Sequence, residues 1–201
     1  MKARQRAYLE AIGVETFAPR GRPGDPAVAE PPPPVTSFVQ SAVSSDATVG
    51  SLDWDPLRAR VAACTLCELH KTRTQTVFGV GNQSSDWLVI GEAPGADEDR
   101  QGEPFVGRAG QLLNSMLRAI GLPRESVYIA NILKCRPPGN RDPKPEESAC
   151  CTPYLHRQIS LLKPKIILVV GRIAAQKLLD TEAPLARLRG QVHRYGPLAT
   201  P

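Results

Sequence analysis

Three short apolar runs, at residues 87–90, 127–131 and 165–170, show no regular alternation with polar residues, and each is followed by a turn and a helix-like stretch. A strand buried on both faces reads as such a continuous run, and strands joined through helices pair in parallel with right-handed crossovers. The pattern predicts a three-layer α/β/α sandwich around a central, mostly parallel sheet. KIILVV at 165–170 is the most apolar run and is expected at the sheet centre, with a further strand over 191–195. Helices are expected from about Leu57, capped by Asp53 or Asp55; around Leu112, Leu113, Met116 and Leu117; from Pro145 to about Leu162; and from Gly171 to about Leu179.

Ligands of open α/β sheets sit beyond the carboxyl ends of parallel strands. The loop in that place after residues 87–90 reads GEAPGADEDRQGEPFVGRAG and carries Glu92, Asp97, Glu98, Asp99, Glu103 and Phe105, which makes it the candidate active site. Asp97 and Asp99 read as solvated loop acids with helix-capping duties.

A chain of 201 residues can bury one good core but not two full domains. Residues 1–18 read as an N-terminal helix or tail with Tyr8, Leu9 and Ile12 on one side, residues 19–52 as a Pro, Ala and Ser-rich linker, and residues 53–201 as the folded domain. The net charge of +5 leans toward a polyanionic partner such as nucleic acid. No run approaches the roughly 18 apolar residues of a membrane span, and the basic start MKARQR lacks a following apolar core, so no membrane partner and a cytoplasmic location are expected.

In a reducing compartment the five cysteines point to metal or cluster ligation rather than disulfides. Cys64 and Cys67 form a CxxC; Cys135 follows the second strand, and fifteen residues separate it from Cys151. Four such thiolates suit a tetrahedral zinc or a [4Fe-4S] cluster alike, and buried inert cysteines are the plainer alternative. Cys150 stands beside Cys151 and leaves the fourth ligand open; His70 is a further candidate.

The strings GEAPGADEDRQGEPFVGRAGQLL, YIANILKCRPPGNRDPKPEE and LLKPKIILVVG resemble the family 4 uracil-DNA glycosylases, the iron-sulfur-containing branch of that superfamily, and the likeness runs from about Asp53 to the C-terminus. It implies a structural [4Fe-4S] cluster on Cys64, Cys67, Cys135 and Cys151, with zinc as the alternative. It implies a monomeric DNA-repair enzyme hydrolysing the N-glycosidic bond of uracil in single- and double-stranded DNA. Phe105 is similar to the family's base-stacking aromatic, and Asn131 to its base-reading asparagine, whose amide accepts from N3-H and donates to O4. Gly91, Glu92 and Ala93 would line the uracil pocket and offer backbone N–H groups to O2, while Glu92 and Glu98 resemble the catalytic acids. Gly107 and Gly110 would permit close backbone approach. Arg108, Lys134, Arg136 and Arg141 would contact phosphates.

The family also carries a histidine followed by proline, whose imidazole stabilises charge at uracil O2. Here His70, His156 and His193 are the three histidines, and none precedes a proline. That motif comes near the start of the family's last helix, and the expectation is that the chain stops one strand and one helix early, with weak activity and marginal stability as the consequence. The alternative is a catalytically weak or inactive iron-sulfur relative that binds nucleic acid. A branch trapping the abasic sugar covalently is expected to carry a histidine-containing loop after the second strand, where this chain reads CRPPGNRDPKP.

Overall fold

The three apolar runs become strands of one sheet in the computed structural model, which describes residues 49–196. The strands are β1 (Val80–Gly81), β2 (Trp87–Gly91), β3 (Tyr128–Asn131) and β4 (Ile166–Val169), in the order β1-β3-β2-β4. β2 pairs in parallel with both β3 and β4, and β1 is antiparallel to β3. The short antiparallel β1 was not foreseen, because two residues leave no periodic signal.

Helices cover both faces. These are α1 (Trp54–Ala62), α2 (Ala96–Gln101), α3 (Arg108–Ala119), α4 (Pro145–Leu162), α5 (Arg172–Leu178) and α6 (Leu185–Leu188). Odd and even strand residues point to opposite faces. On one face Val89, Val127 and Ile129 meet Leu113 and Leu117 of α3. On the other, Leu88, Ile90, Tyr128 and Ala130 meet Leu155, Ile159 and Leu162 of α4 and Ala174 of α5. That is the expected three-layer α/β/α arrangement with a mostly parallel sheet. Asp53 caps α1 by accepting the Trp54 N–H at 2.8 Å, and Pro145 opens α4 as a first-turn proline.

Four expectations need correction. KIILVV is parallel but outermost in strand order, and Leu168 stays 37% exposed; the central pair is β2 and β3. Residues 191–195 form no strand beyond an isolated bridge at Tyr195. Leu112 and Met116 are exposed on α3 although their neighbours Leu113 and Leu117 are buried, because a single sheet face takes only part of the helix circumference. The folded part also reaches back to Val49, which is buried with Leu57, Val61, Phe78 and Tyr154, so the last residues assigned to the linker belong to the core. The expected N-terminal helix or tail and most of the expected linker lie outside the described residues. No helix among the described residues is long and apolar enough to cross a membrane.

Candidate active site

Parallel registry sets the geometry of the site. Gly91 ends β2 directly opposite Asn131 at the end of β3, at the carboxyl edge of the central pair. A β-carbon on Gly91 would lie 2.5 Å from Asn131 Oδ1 and 2.6 Å from Phe105 Cζ. Only glycine leaves room for an amide and an aromatic ring to converge there. Beside them opens a cavity of about 320 Å³ lined by Glu92, Ala93, Phe105, Pro137, Asn140 and Arg141 among others. The structure thus brings together Gly91, Phe105 and Asn131 at the strand ends, and Glu92, Ala93 and Phe105 in the cavity wall.

Phe105 is held in the left-handed region at φ +53°, a costly conformation for a bulky side chain. Glu98 secures the loop on both sides of it. One carboxylate oxygen accepts from the N–H groups of Val106 and Gly107, both at 3.0 Å, and the other accepts from Gly95 N–H at 3.0 Å. Glu98 therefore acts through its backbone partners, as the brace of this loop. Gly110 closes the packing, since a β-carbon there would fall 1.8 Å from the Phe105 carbonyl oxygen.

The two acids singled out in the loop differ electrostatically. Burial pushes the Glu98 carboxyl up, but the N–H donors of Gly107, Glu98 itself, Val106 and Gly95 outweigh it and hold the pKa below the usual carboxylate value. Burial, helped by nearby Asp142, raises Glu92, and Arg172 opposes this only in part. Asp97 is a surface acid paired with Arg100. Asp99 corrects the solvated reading: it is buried, and its two oxygens accept the Thr74 N–H at 3.0 and 3.1 Å, tying the stretch after the CxxC to α2.

The basic residues separate in the same way. Arg108 is exposed at the start of α3. Arg136 donates to Asn140 Oδ1 at 2.7 Å, and Arg141 is engaged by both oxygens of Glu147 at 2.9 and 2.6 Å. Lys134 cannot reach a phosphate. It is 1% exposed, with Nζ donating to Gln158 Oε1 at 2.6 Å, Asn131 O at 2.8 Å and Phe78 O at 3.3 Å. Burial pushes its pKa down to about 7. Its position next to Cys135 at the end of an apolar run was the only hint of burial.

Cys135 and Cys151 are buried together with Leu69 and Leu133, and Cys67 and Ala93 pack against them. The pocket lip at Ala93 thus rests on the cysteine cluster. Arg73 donates from Nη1 to Cys135 Sγ at 3.0 Å and from Nη2 to the carbonyl of Ala62 at 3.1 Å, bridging the end of α1 to the thiol. Burial raises the thiol pKa values of Cys67, Cys135 and Cys151, the last to about 12; the Leu69 N–H, the Arg73 guanidinium and the Lys134 N–H respectively pull the other way. Cys64 and Cys150 lie within electrostatic reach of Cys67. Cys150 turns its thiol to the Leu66 carbonyl at 3.4 Å, whereas Cys151 joins the buried group. His70 Nδ1 faces the Cys67 carbonyl at 2.7 Å. Among the described residues no three Cys, His, Asp or Glu side chains converge tightly enough to hold a single metal ion.

The chain carrying this sheet edge is similar to known proteins. The family model described as the Uracil DNA glycosylase superfamily matches residues 78–201. The Type-4 uracil-DNA glycosylase of Archaeoglobus fulgidus is 51% identical over 143 residues, covering 69% of this chain and 72% of that protein. This chain belongs to the type-4 uracil-DNA glycosylase family. The Type-4 uracil-DNA glycosylase of Thermotoga maritima is 46% identical over 132 residues, covering 65% of this chain and 69% of its own. The Type-5 uracil-DNA glycosylase of Thermus thermophilus is more distant, 33% identical over 118 residues with 51% and 53% covered. Arg73, Arg124, Gln158 and the buried role of Asp99 carried no motif and emerge only from the packing.

Proposed function

We propose that this chain is a uracil-DNA glycosylase that hydrolyses the N-glycosidic bond of uracil in DNA. The observation carrying the reading is the convergence of Phe105 and Asn131 over Gly91 at the carboxyl edge of the central strand pair. A base extruded from the stack needs one face covered and its polar edge read. Phe105 supplies the face. Asn131 accepts from N3-H and donates to O4 of uracil; cytosine would meet donor with donor and acceptor with acceptor, leaving buried polar groups unpaired. Rigidity of the reader is supported by Lys134, whose ammonium holds the Asn131 backbone carbonyl.

The N1–C1′ bond breaks as the uracil anion departs, water adds to the sugar carbon, and the proton released by that water balances the uracil anion. Backbone N–H groups of the Gly91 to Ala93 turn are suited to the negative charge growing at O2. Glu92, in the cavity wall, is placed to orient the water and to oppose the positive charge on the sugar. Arg108, Arg136 and Arg141 are proposed phosphate contacts, Arg141 with its guanidinium oriented by Glu147.

Cys64, Cys67, Cys135 and Cys151 would hold a [4Fe-4S] cluster, as the resemblance to the iron-sulfur-containing branch implies. The donor set fits: all-sulfur, with a guanidinium and backbone N–H groups facing the sulfurs. The buried Ser148 hydroxyl, one turn before Cys151, has no hydrogen-bond partner among the described groups, which fits a site completed by a further acceptor. When bound, the cluster supplies structure, fixing both ends of the loop from Cys135 to Cys151. We place the enzyme in a reducing cytoplasm, acting as a monomer.

The test is excision from a single-deoxyuridine oligonucleotide, read as alkali-labile strand cleavage. The full chain is expected to cleave, with Phe105→Ala and Asn131→Ala strongly impaired; cleavage at cytosine with equal efficiency, or none at uracil, would sink the proposal. A second reading, binding with little cleavage, draws on one observation: none of the three histidines lines the cavity. His70 contacts the Cys67 carbonyl, His156 the Tyr195 ring and His193 the Leu188 carbonyl. Tight uracil-dependent binding with single-turnover rates about 10² to 10³ below those of the Archaeoglobus fulgidus relative would favour it.

A further inference from the structure

We infer that Arg124 is the positioning residue that fixes Phe105 for stacking on the flipped base, an assignment that rests on the uracil-excision reading. Arg124 opens the single helical turn Arg124–Ser126 that leads into β3, so it comes from an element remote in sequence from the loop it serves. Its Nη2 donates to the Pro104 carbonyl at 2.6 Å, and its Nη1 donates to the Phe105 carbonyl at 3.2 Å and to Asn114 Oδ1 at 3.2 Å. One planar fork thus grips two consecutive carbonyls and is itself oriented by α3.

This grip matters because Phe105 sits at φ +53°, where a bulky residue does not stay unless its surroundings over-determine it. Glu98 holds the following N–H groups, those of Val106 and Gly107; Arg124 holds the preceding and local carbonyls, those of Pro104 and Phe105. The residue is clamped from both sides by opposite charges, and Gly110 leaves the helix backbone close enough to block relaxation. Lysine offers a point charge and cannot span two carbonyls and an amide at once. A phosphate role is a poor alternative, since both guanidinium amino groups are already directed into the protein. Without Arg124 the loop returns to negative φ and the ring leaves its place over Gly91, while Asn131, anchored separately by Lys134, keeps its own.

A double-mutant cycle reads this coupling. Arg124→Met keeps the aliphatic stem and deletes every donor. It is expected to lower kcat/KM for uracil excision by up to about 100-fold when Phe105 is present, as misplacement of a positioning group does, and by only a few fold in the Phe105→Ala background. Equal losses in both backgrounds overturn the proposal. Arg124→Lys should fall between, and if Arg124→Met does not fold, Asn114→Ala in the same cycle reports the same coupling. A readout independent of excision is the fluorine spectrum of the full chain labelled with 4-fluorophenylalanine, which has four phenylalanines, with Phe105 assigned by Phe105→Ala. The Phe105 resonance is expected to move in Arg124→Met while the other three stay. An unmoved resonance overturns the clamp whatever the activity, whereas a moved one in a chain that never cleaves uracil leaves the clamp standing and overturns the functional reading.

Discussion

Glu92 and Glu98 sit six residues apart between β2 and α3 and are driven in opposite directions by their surroundings. Glu98 has its charge satisfied by backbone N–H groups, so its folded pKa lies below its unfolded one. Its contribution to stability is complete above the unfolded carboxylate pKa and is lost as pH falls through the lower folded value. Glu98→Gln, which keeps one acceptor oxygen, should cost about 1–3 kcal/mol, toward the low end because the group is only partly buried. The loss should vanish in thermal melts at acid pH. Glu92 behaves inversely: with a raised folded pKa, its contribution is complete below the unfolded pKa and gone above the folded one, so at neutral pH the ionised group burdens the fold. Glu92→Gln is expected to melt slightly higher at neutral pH while uracil excision falls. The acid limb of the wild-type rate profile should sit above the usual glutamate value of about 4.3. An unchanged rate in that variant would remove Glu92 from the chemistry.

At the scale of elements, the parallel register of β2 and β3 does most to build the site, because it places Gly91 opposite Asn131. Gly91→Ala should cut excision by at least about 100-fold, by driving the amide and the ring apart, with only a small loss of melting temperature since the glycine lies at the strand end. Retained activity would show that the two side chains need not meet there. The strand-loop-helix order was legible because apolar runs and turn residues are local signals. The placing of KIILVV was not, because strand order depends on which strands pair, and the most apolar run ended at the edge while Leu168 stayed exposed. The burial of Lys134 and Asp99 was equally hidden: a charged residue reads as solvent-facing until the three acceptors around Nζ or the Thr74 N–H against the carboxylate come into view. Arg73 belongs with these. Its bond to Cys135 Sγ would offset negative charge on the proposed cluster, so if iron is bound there, Arg73→Met is expected to speed iron loss to a chelator and to lower the cluster's reduction potential. Unaltered iron release and potential would count against that role.

Over the described domain, the cysteine group and the cavity beside Phe105 share one packed wall at Ala93. Ala93, in the cavity wall, packs on the group of Cys67, Cys135 and Cys151, and Cys135 and Cys151 bracket the proline-rich loop whose Pro137, Asn140 and Arg141 also line the cavity. The sheet core lies elsewhere, between β2, β3 and the helices α3 and α4, and draws its stability from apolar burial that needs no cofactor. If the proposed cluster is bound there, its removal should therefore loosen the site without unfolding the domain. The Arg141 to Glu147 pair gives the loop one remaining anchor, and the Lys134 network keeps Asn131 in place. In hydrogen exchange on chelator-treated protein, amides of residues 92–95 and 136–144 should lose protection while those of β2 and β3 keep it, and uracil excision should fall in step with the loop amides. Exchange that rises uniformly through the sheet would instead make the cysteine site a keystone of the fold, and exchange unchanged everywhere would separate it from the pocket altogether.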